Sequence, residues 1–150
     1  MTCKKILTYA GFKNIISLSA YAAYTEDIMK IAIPVEEKNI KGNICVSFGR
    51  APYFMFHDTE KNKSDFIINS AANSQGGAGI KAAQIIVDNN ADILITPRCG
   101  DNAAEILKAA YITIYKSKNN LIEDNLKYFK EDKLNLLTEI HSGFHGNGAR

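Results

Sequence analysis

Ser47-Phe48-Gly49-Arg50-Ala51-Pro52-Tyr53-Phe54-Met55-Phe56-His57-Asp58 sets a glycine, an arginine and a proline in a tight corner between two apolar runs. After the corner, Tyr53, Met55 and His57 fall on one face of an extended chain, and Phe54, Phe56 and Asp58 on the other. Both faces are largely apolar, so the strand predicted over residues 53–59 belongs in a sheet covered on both sides. Upstream of the corner, residues 44–48 read as another strand, following the turn signal Lys41-Gly42-Asn43. Lys30-Ile31-Ala32-Ile33-Pro34-Val35 is a short apolar run with β-branched residues and reads as the first, buried strand. Residues 65–69 extend the sheet edge.

From Gly79 onward the period becomes helical. Ile80, Ala83 and Val87 share one stripe with Ala82 and Ile86 beside it, and Asn89-Asn90 ends the helix. Residues 92–96 form a fourth strand. Asp101 is the expected N-cap of a second helix with Ala103, Leu107 and Ala110 on one stripe. Residues 111–115 form a fifth strand, and Asn120 with Glu123 makes a capping-box start to a third helix bearing Ile122, Leu126 and Phe129. Three strands joined by short turns, then helix–strand–helix–strand–helix, imply an antiparallel part followed by parallel crossovers. The expected product is an α/β fold: three layers, α/β/α, around a mixed five-stranded sheet.

At 150 residues and 46% hydrophobic, the chain is one domain with room for a substantial core. Its net charge of +2, from 18 basic and 16 acidic residues, creates no field that would draw nucleic acid or a membrane. The 3 cysteines, Cys3, Cys45 and Cys99, are odd in number and contain no C-x-x-C pair. That argues against a disulfide framework and for a reducing, cytoplasmic setting. No apolar run of about 18 residues suggests a spanning helix. Residues 1–28 read as an N-terminal extension outside the domain, residues 29–132 as the domain, and residues 133–150 as a flexible tail containing glycines and histidines.

In such a sheet, ligands bind beyond the carboxyl ends of the parallel strands. Thr96-Pro97-Arg98-Cys99-Gly100-Asp101 lies at such an end. Cys99, just before a helix start, is either a thiolate favoured by the macrodipole, a soft ligand for thiophilic metals, or a small buried residue. Arg98 is an anion clamp or a solvated loop arginine. Gln75-Gly76-Gly77-Ala78-Gly79 lacks the Gly-Lys-Ser/Thr ending of a P-loop, yet glycines at a helix start expose amides to an anion. Their alternative role is a turn with close helix–sheet packing. Arg50 either turns its guanidinium to the same anion or pairs with a surface carboxylate. His57 reads as a packed strand residue. His141 and His145, flanking Ser142-Gly143-Phe144, either wrap a metal from the tail or stay solvated.

Taken together in this order, the strand at Met29, the Phe48-Gly49-Arg50 corner, the Gly76-Gly77-Ala78-Gly79 corner and Gly100-Asp101-Asn102-Ala103 resemble the dinitrogenase iron-molybdenum cofactor biosynthesis family. That family includes NifX, NafY and the C-terminal domain of NifB, and the resemblance spans roughly residues 29 to 130. It implies a ribonuclease H-like domain that binds an iron–sulfur or iron–molybdenum-type cluster or its precursor without catalysis, with cluster-assembly proteins as further partners. Members commonly carry a histidine, an implied cluster contact, immediately before the Phe-Gly-Arg. Ser47 stands there in this chain, leaving Cys45, two residues earlier, as a substitute soft ligand or a core residue. Aspartate at 101 replaces the family's proline.

Two other functions remain open on the residues. One is a small regulatory or interaction domain with a vestigial site. The other is a ribonuclease H-like nuclease, which would need several carboxylates converging on the central strands. The first strand carries none, and Asp58, Asp92 and Asp101 fall in separate elements.

Overall fold

The double-sided strand holds the molecule together. In a computed structural model that describes residues 28–140, Tyr53–Asp58 (β2) lies between Lys30–Val35 (β1) and Lys63–Ile68 (β3), antiparallel to both. Phe54 and Phe56 point into one core with Ala82, Ile86 and Leu107. Met55 points into the other, with Ile31, Ile33, Ile95 and Ile122. The two-faced alternation of β2 thus becomes two cores separated by one sheet.

Beyond β1 the sheet continues in parallel through Ile93–Thr96 (β4) and Thr113–Lys116 (β5), giving the order β3-β2-β1-β4-β5-β6. Asn135–Leu136 (β6) closes the far edge antiparallel to β5. The crossovers are Ala78–Asp88 (α1) and Asp101–Ala109 (α2). Both face the first core, α1 with Ala82, Ala83 and Ile86 and α2 with Ala103, Ala104 and Leu107. Ile122–Lys130 (α3) covers the second core with Ile122, Leu126 and Phe129, so the helices flank both faces of a three-layer α/β/α fold.

Four local expectations change. The sheet has six strands among the described residues, not five. Residues 44–48 are not a strand: β1 ends at Val35, so only Ile44 has a bridge partner there, and Val46 is turned out at 51% exposure. The stretch assigned to a loose tail begins with structure, because β6 forms at Asn135–Leu136 and Leu134 and Leu137 bury themselves in the second and first cores. Asp101 and Asn120 are not caps. Gly100 and Leu121 occupy the N-cap positions of α2 and α3, and neither cap makes a side-chain bond. Asn119 does the local work before α3, accepting the Leu121 amide at 3.0 Å.

All three helices among the described residues end in the same way. Asn90, Tyr111 and Asp132 adopt positive φ (57°, 60° and 58°). In each case the following amide reaches back five residues: Ala91 to Ile86 O, Ile112 to Leu107 O, Lys133 to Tyr128 O. These are Schellman turns built without glycine.

Candidate functional site at the carboxyl ends of the parallel strands

The sheet register sends four connections to one end. Val35 pairs with Tyr53 and Tyr53 with Ile68, so the segments after β1, before β2 and after β3 meet there. Those after β4 and β5 join them, since β1, β4 and β5 are parallel. The amino termini of α1 and α2 open onto this end, where the macrodipole favours negative charge.

The glycine-bearing corners touch one another. A β-carbon on Gly49 would stand 2.8 Å from the Gly79 amide nitrogen and 3.0 Å from its Cα, so only glycine lets this corner reach the start of α1. A β-carbon on Gly79 would meet Ala103 Cβ at 3.7 Å, so α1 and α2 begin side by side. Gly76 and Gly77 face open space, and Gly77, the N-cap of α1, sits at φ 66°. The backbone around Gly76 and Gly77 is exposed toward a space that no side chain fills.

Arg50 is exposed and bends back to its own framework. Its Nη1 donates to Ala72 O at 3.1 Å and to Ser74 O at 3.0 Å. The guanidinium therefore ties down the turn before Gly76 instead of pairing with a carboxylate, and its other donors remain available. Arg98 is exposed and forms no ion pair among the described residues. Ser47 is exposed beside the first corner.

The two cysteines differ in burial. Cys99 is 2% exposed and belongs to the first core. Burial pushes its thiol up to about 11, with Asp101 adding to the rise and Lys108 opposing it. This favours the thiol at neutral pH, so of the two readings open at Cys99 the small buried residue fits this environment better than the thiolate. Cys45 is half-buried, and its pKa too is raised, chiefly by burial, while the Ser47 amide opposes the rise. His57 is buried on β2, 2.8 Å from Ser64 Oγ, as a packed strand residue would be. His141 and His145 lie outside the described residues. β6 runs antiparallel to β5, so it carries the chain away from the glycine corners before those histidines are reached. Among the described residues no three His, Cys, Asp or Glu side chains converge on a common point.

A depression of about 260 Å³ lies at the opposite end of the sheet, lined by Val87, Asn90, Ala91, Asp92, Ala110, Tyr111 and Ile112. It sits between the closing turns of α1 and α2 and contains neither thiol nor cation, so its size does not make it the better site.

Asn69 was not anticipated from the sequence. It is 3% exposed, and its Nδ2 donates to Ala51 O at 2.8 Å and Gly49 O at 3.1 Å, while its Oδ1 accepts the Ala71 amide at 3.0 Å. Asn125, fully buried, plays a similar part before α3: it accepts the Lys118 amide and donates to Asn119 O and Leu121 O. An asparagine at the end of a strand is a turn signal; that it is buried and bonded to two segments is not visible in one sequence.

Comparison with known proteins agrees with this geometry. The model of the family described as dinitrogenase iron-molybdenum cofactor matches residues 29–132. The chain belongs to that family. An uncharacterized protein of Methanocaldococcus jannaschii is 32% identical over 111 residues, covering 71% of this chain and 90% of the relative. Among solved structures, a Thermotoga protein given as NifB superposes with a TM-score of 0.67 at 30% identity, over 77% of this chain and 99% of its own. The apo form of the orange protein from Desulfovibrio gigas gives a TM-score of 0.71 over 75% of this chain and 95% of its own. At 24% identity that second likeness speaks for the fold alone. The three glycine-bearing corners, at Gly49, Gly76–Gly79 and Gly100–Ala103, all fall within the matched residues 29–132. No helix among the described residues is long and apolar enough to cross a membrane.

Proposed function

We propose that this chain is a non-enzymatic, cytoplasmic binder and carrier of an anionic iron–sulfur or iron–molybdenum-type cluster, or its precursor, in metallocluster biosynthesis. The observation that supports this is the meeting of the three corners, with Gly49 closed against Gly79 and Gly79 against Ala103 while Gly76 and Gly77 stay open. An anion placed there is met by the N-terminus of α1, by Arg98 and by the free donors of Arg50. Few covalent anchors are on offer, which suits cargo that must be released. Cys45, the more exposed thiol, is the stronger candidate for a coordinate bond; Cys99 supports the site from the core. His141 and His145, outside the described residues, are proposed as further ligands of the same cluster.

Membership of the iron-molybdenum cofactor family favours this reading over a nuclease. Asp58 and Asp92 lie at the amino end of the sheet, beside Lys30, whereas Asp101 lies at the carboxyl end, so these carboxylates cannot share a metal pair.

The test is anaerobic reconstitution with ferrous iron and sulfide, with and without molybdate, followed by desalting, metal analysis and a visible spectrum. Retained metal with charge-transfer absorbance is expected. Arg98→Ala and Cys45→Ser should each lower retention several-fold, and Cys99→Ser less than Cys45→Ser. A wild-type chain that emerges colourless and metal-free would leave the regulatory or interaction domain as the better reading.

A further inference from the structure

We propose that Asn69 is the positioning residue of this site: it locks the first glycine corner to the second from the buried side, and so fixes where the Gly76 and Gly77 amides stand. The inference rests on the carrier reading for its use, but on geometry alone for its substance.

Five bonds from one residue join the two segments. The side chain of Asn69 donates to Gly49 O and Ala51 O on the first corner, and its backbone amide donates to Pro52 O at 3.0 Å. On the other side its Oδ1 accepts the Ala71 amide, and its own carbonyl accepts the Ala72 amide at 3.2 Å. The Ser74 amide then closes on Ala71 O at 3.0 Å, completing the turn that leads to Gly76. Arg50 ties the same turn from outside, at Ala72 O and Ser74 O. The inner tie is dry and the outer one solvated. Water competes for the outer bonds, whereas the inner ones have no substitute partner. A β-carbon on Gly76 or Gly77 would meet nothing within 4 Å, so apart from the Lys81 amide on Gly77 O at 3.0 Å the turn is what holds them. The donor character of Asn69 matters as much as its shape, because two carbonyls face its Nδ2. A carboxylate of the same size would turn an oxygen toward them instead.

Asn69→Asp therefore makes the lock pH-dependent. As a carboxylate the new side chain repels Gly49 O and Ala51 O; once protonated it regains one donor. In the metal-free chain, backbone ¹⁵N relaxation should show Gly76 and Gly77 near the rigid value of about 0.85 in wild type and below about 0.6 in Asn69→Asp at neutral pH. Exchange of the Ala71, Ala72 and Ser74 amides should rise at least tenfold over wild type. Both differences should shrink as the pH is lowered through the carboxyl range, a reversal that a general loss of packing would not give. Arg50→Gln, an exposed change that leaves the core intact, should speed exchange at Ala72 and Ser74 while leaving Ala71 protected; it covers the case in which Asn69→Asp does not fold. Loss of Ala71 protection in Arg50→Gln would mean that the outer tie carries the turn and would overturn the proposal. So would a folded Asn69→Asp whose Gly76 and Gly77 match wild type at every pH. Reconstitution with iron and sulfide then asks a separate question. If wild type takes no cluster, the carrier reading fails, and the relaxation comparison on the empty chain still decides the role of Asn69.

Discussion

Burial divides the work of the two cysteines on the described chain. Cys99 is held as a neutral thiol by desolvation, with its Sγ 3.7 Å from Gly100 O, and a thiol inside a core is neither a good ligand nor a good nucleophile. Cys45 keeps part of its surface in water. Iodoacetamide at pH 8, read by peptide mapping, should modify Cys45 at least ten times faster than Cys99. Equal rates would mean that the β4–α2 corner opens readily. A second single-residue case is Tyr111, which closes α2 at φ 60° with 63% of its surface exposed. Left-handed backbone costs an L-residue roughly 1–2 kcal/mol, and an exposed ring regains little of it. Tyr111→Gly should stabilise the fold by about 0.5–1 kcal/mol after the extra unfolded-state entropy of glycine is allowed for. The check is a higher urea midpoint at unchanged slope.

Between elements, the decisive contact is the first corner against α1. Gly49→Ala would place a methyl 2.8 Å from a backbone nitrogen that cannot move without shifting the helix. Overpacking of this kind costs about 1–3 kcal/mol, so the variant should melt several degrees lower and retain less metal after reconstitution. An unchanged melt would show that the corner and α1 are not in tight contact. This contact also marks the limit of what the sequence discloses. The apolar alternation of β2 and the helical stripes of α1 and α2 state their own geometry, so the layers and the parallel half of the sheet were legible. The corners were legible as glycine-rich breaks. What was hidden depended on partners distant in sequence. The two residues of β6 carry no periodic pattern, residues 44–48 look like a strand until β1 ends beneath them, and Asn69 acts on carbonyls 18 and 20 residues away. At Cys99 the sequence left a thiolate and a small buried residue both open, and the packed core favours the second.

At the scale of the whole molecule, the end of the sheet opposite the candidate site has its own ties. The amino end of β1 is wired internally: the Met29 amide donates to Thr59 Oγ1 at 2.8 Å, its carbonyl accepts the Thr59 amide, and its side chain is buried. A chain beginning at Met29 is therefore expected to keep a cooperative melt within a few degrees of the full chain; a large drop would mean that residues 1–28 contribute to the core. The acid response should originate far from the site, in His57. Burial lowers its pKa below the ordinary 6.5, with Asp58 opposing, because the charged ring would be desolvated beside Ser64 on the edge strand. The sign follows directly. Below 6.5 the unfolded chain takes up a proton that the folded chain refuses, so stability is constant above that value and declines as the pH falls toward the lower folded pKa. The slope is at most one proton, about 1.4 kcal/mol per pH unit, and it ends once the folded ring is also charged. His57→Asn removes the titration while keeping a polar group for Ser64. Urea unfolding at pH 7.5 and 5.5 should therefore show a smaller acid loss in the variant than in wild type, and identical losses would assign the acid response to other groups.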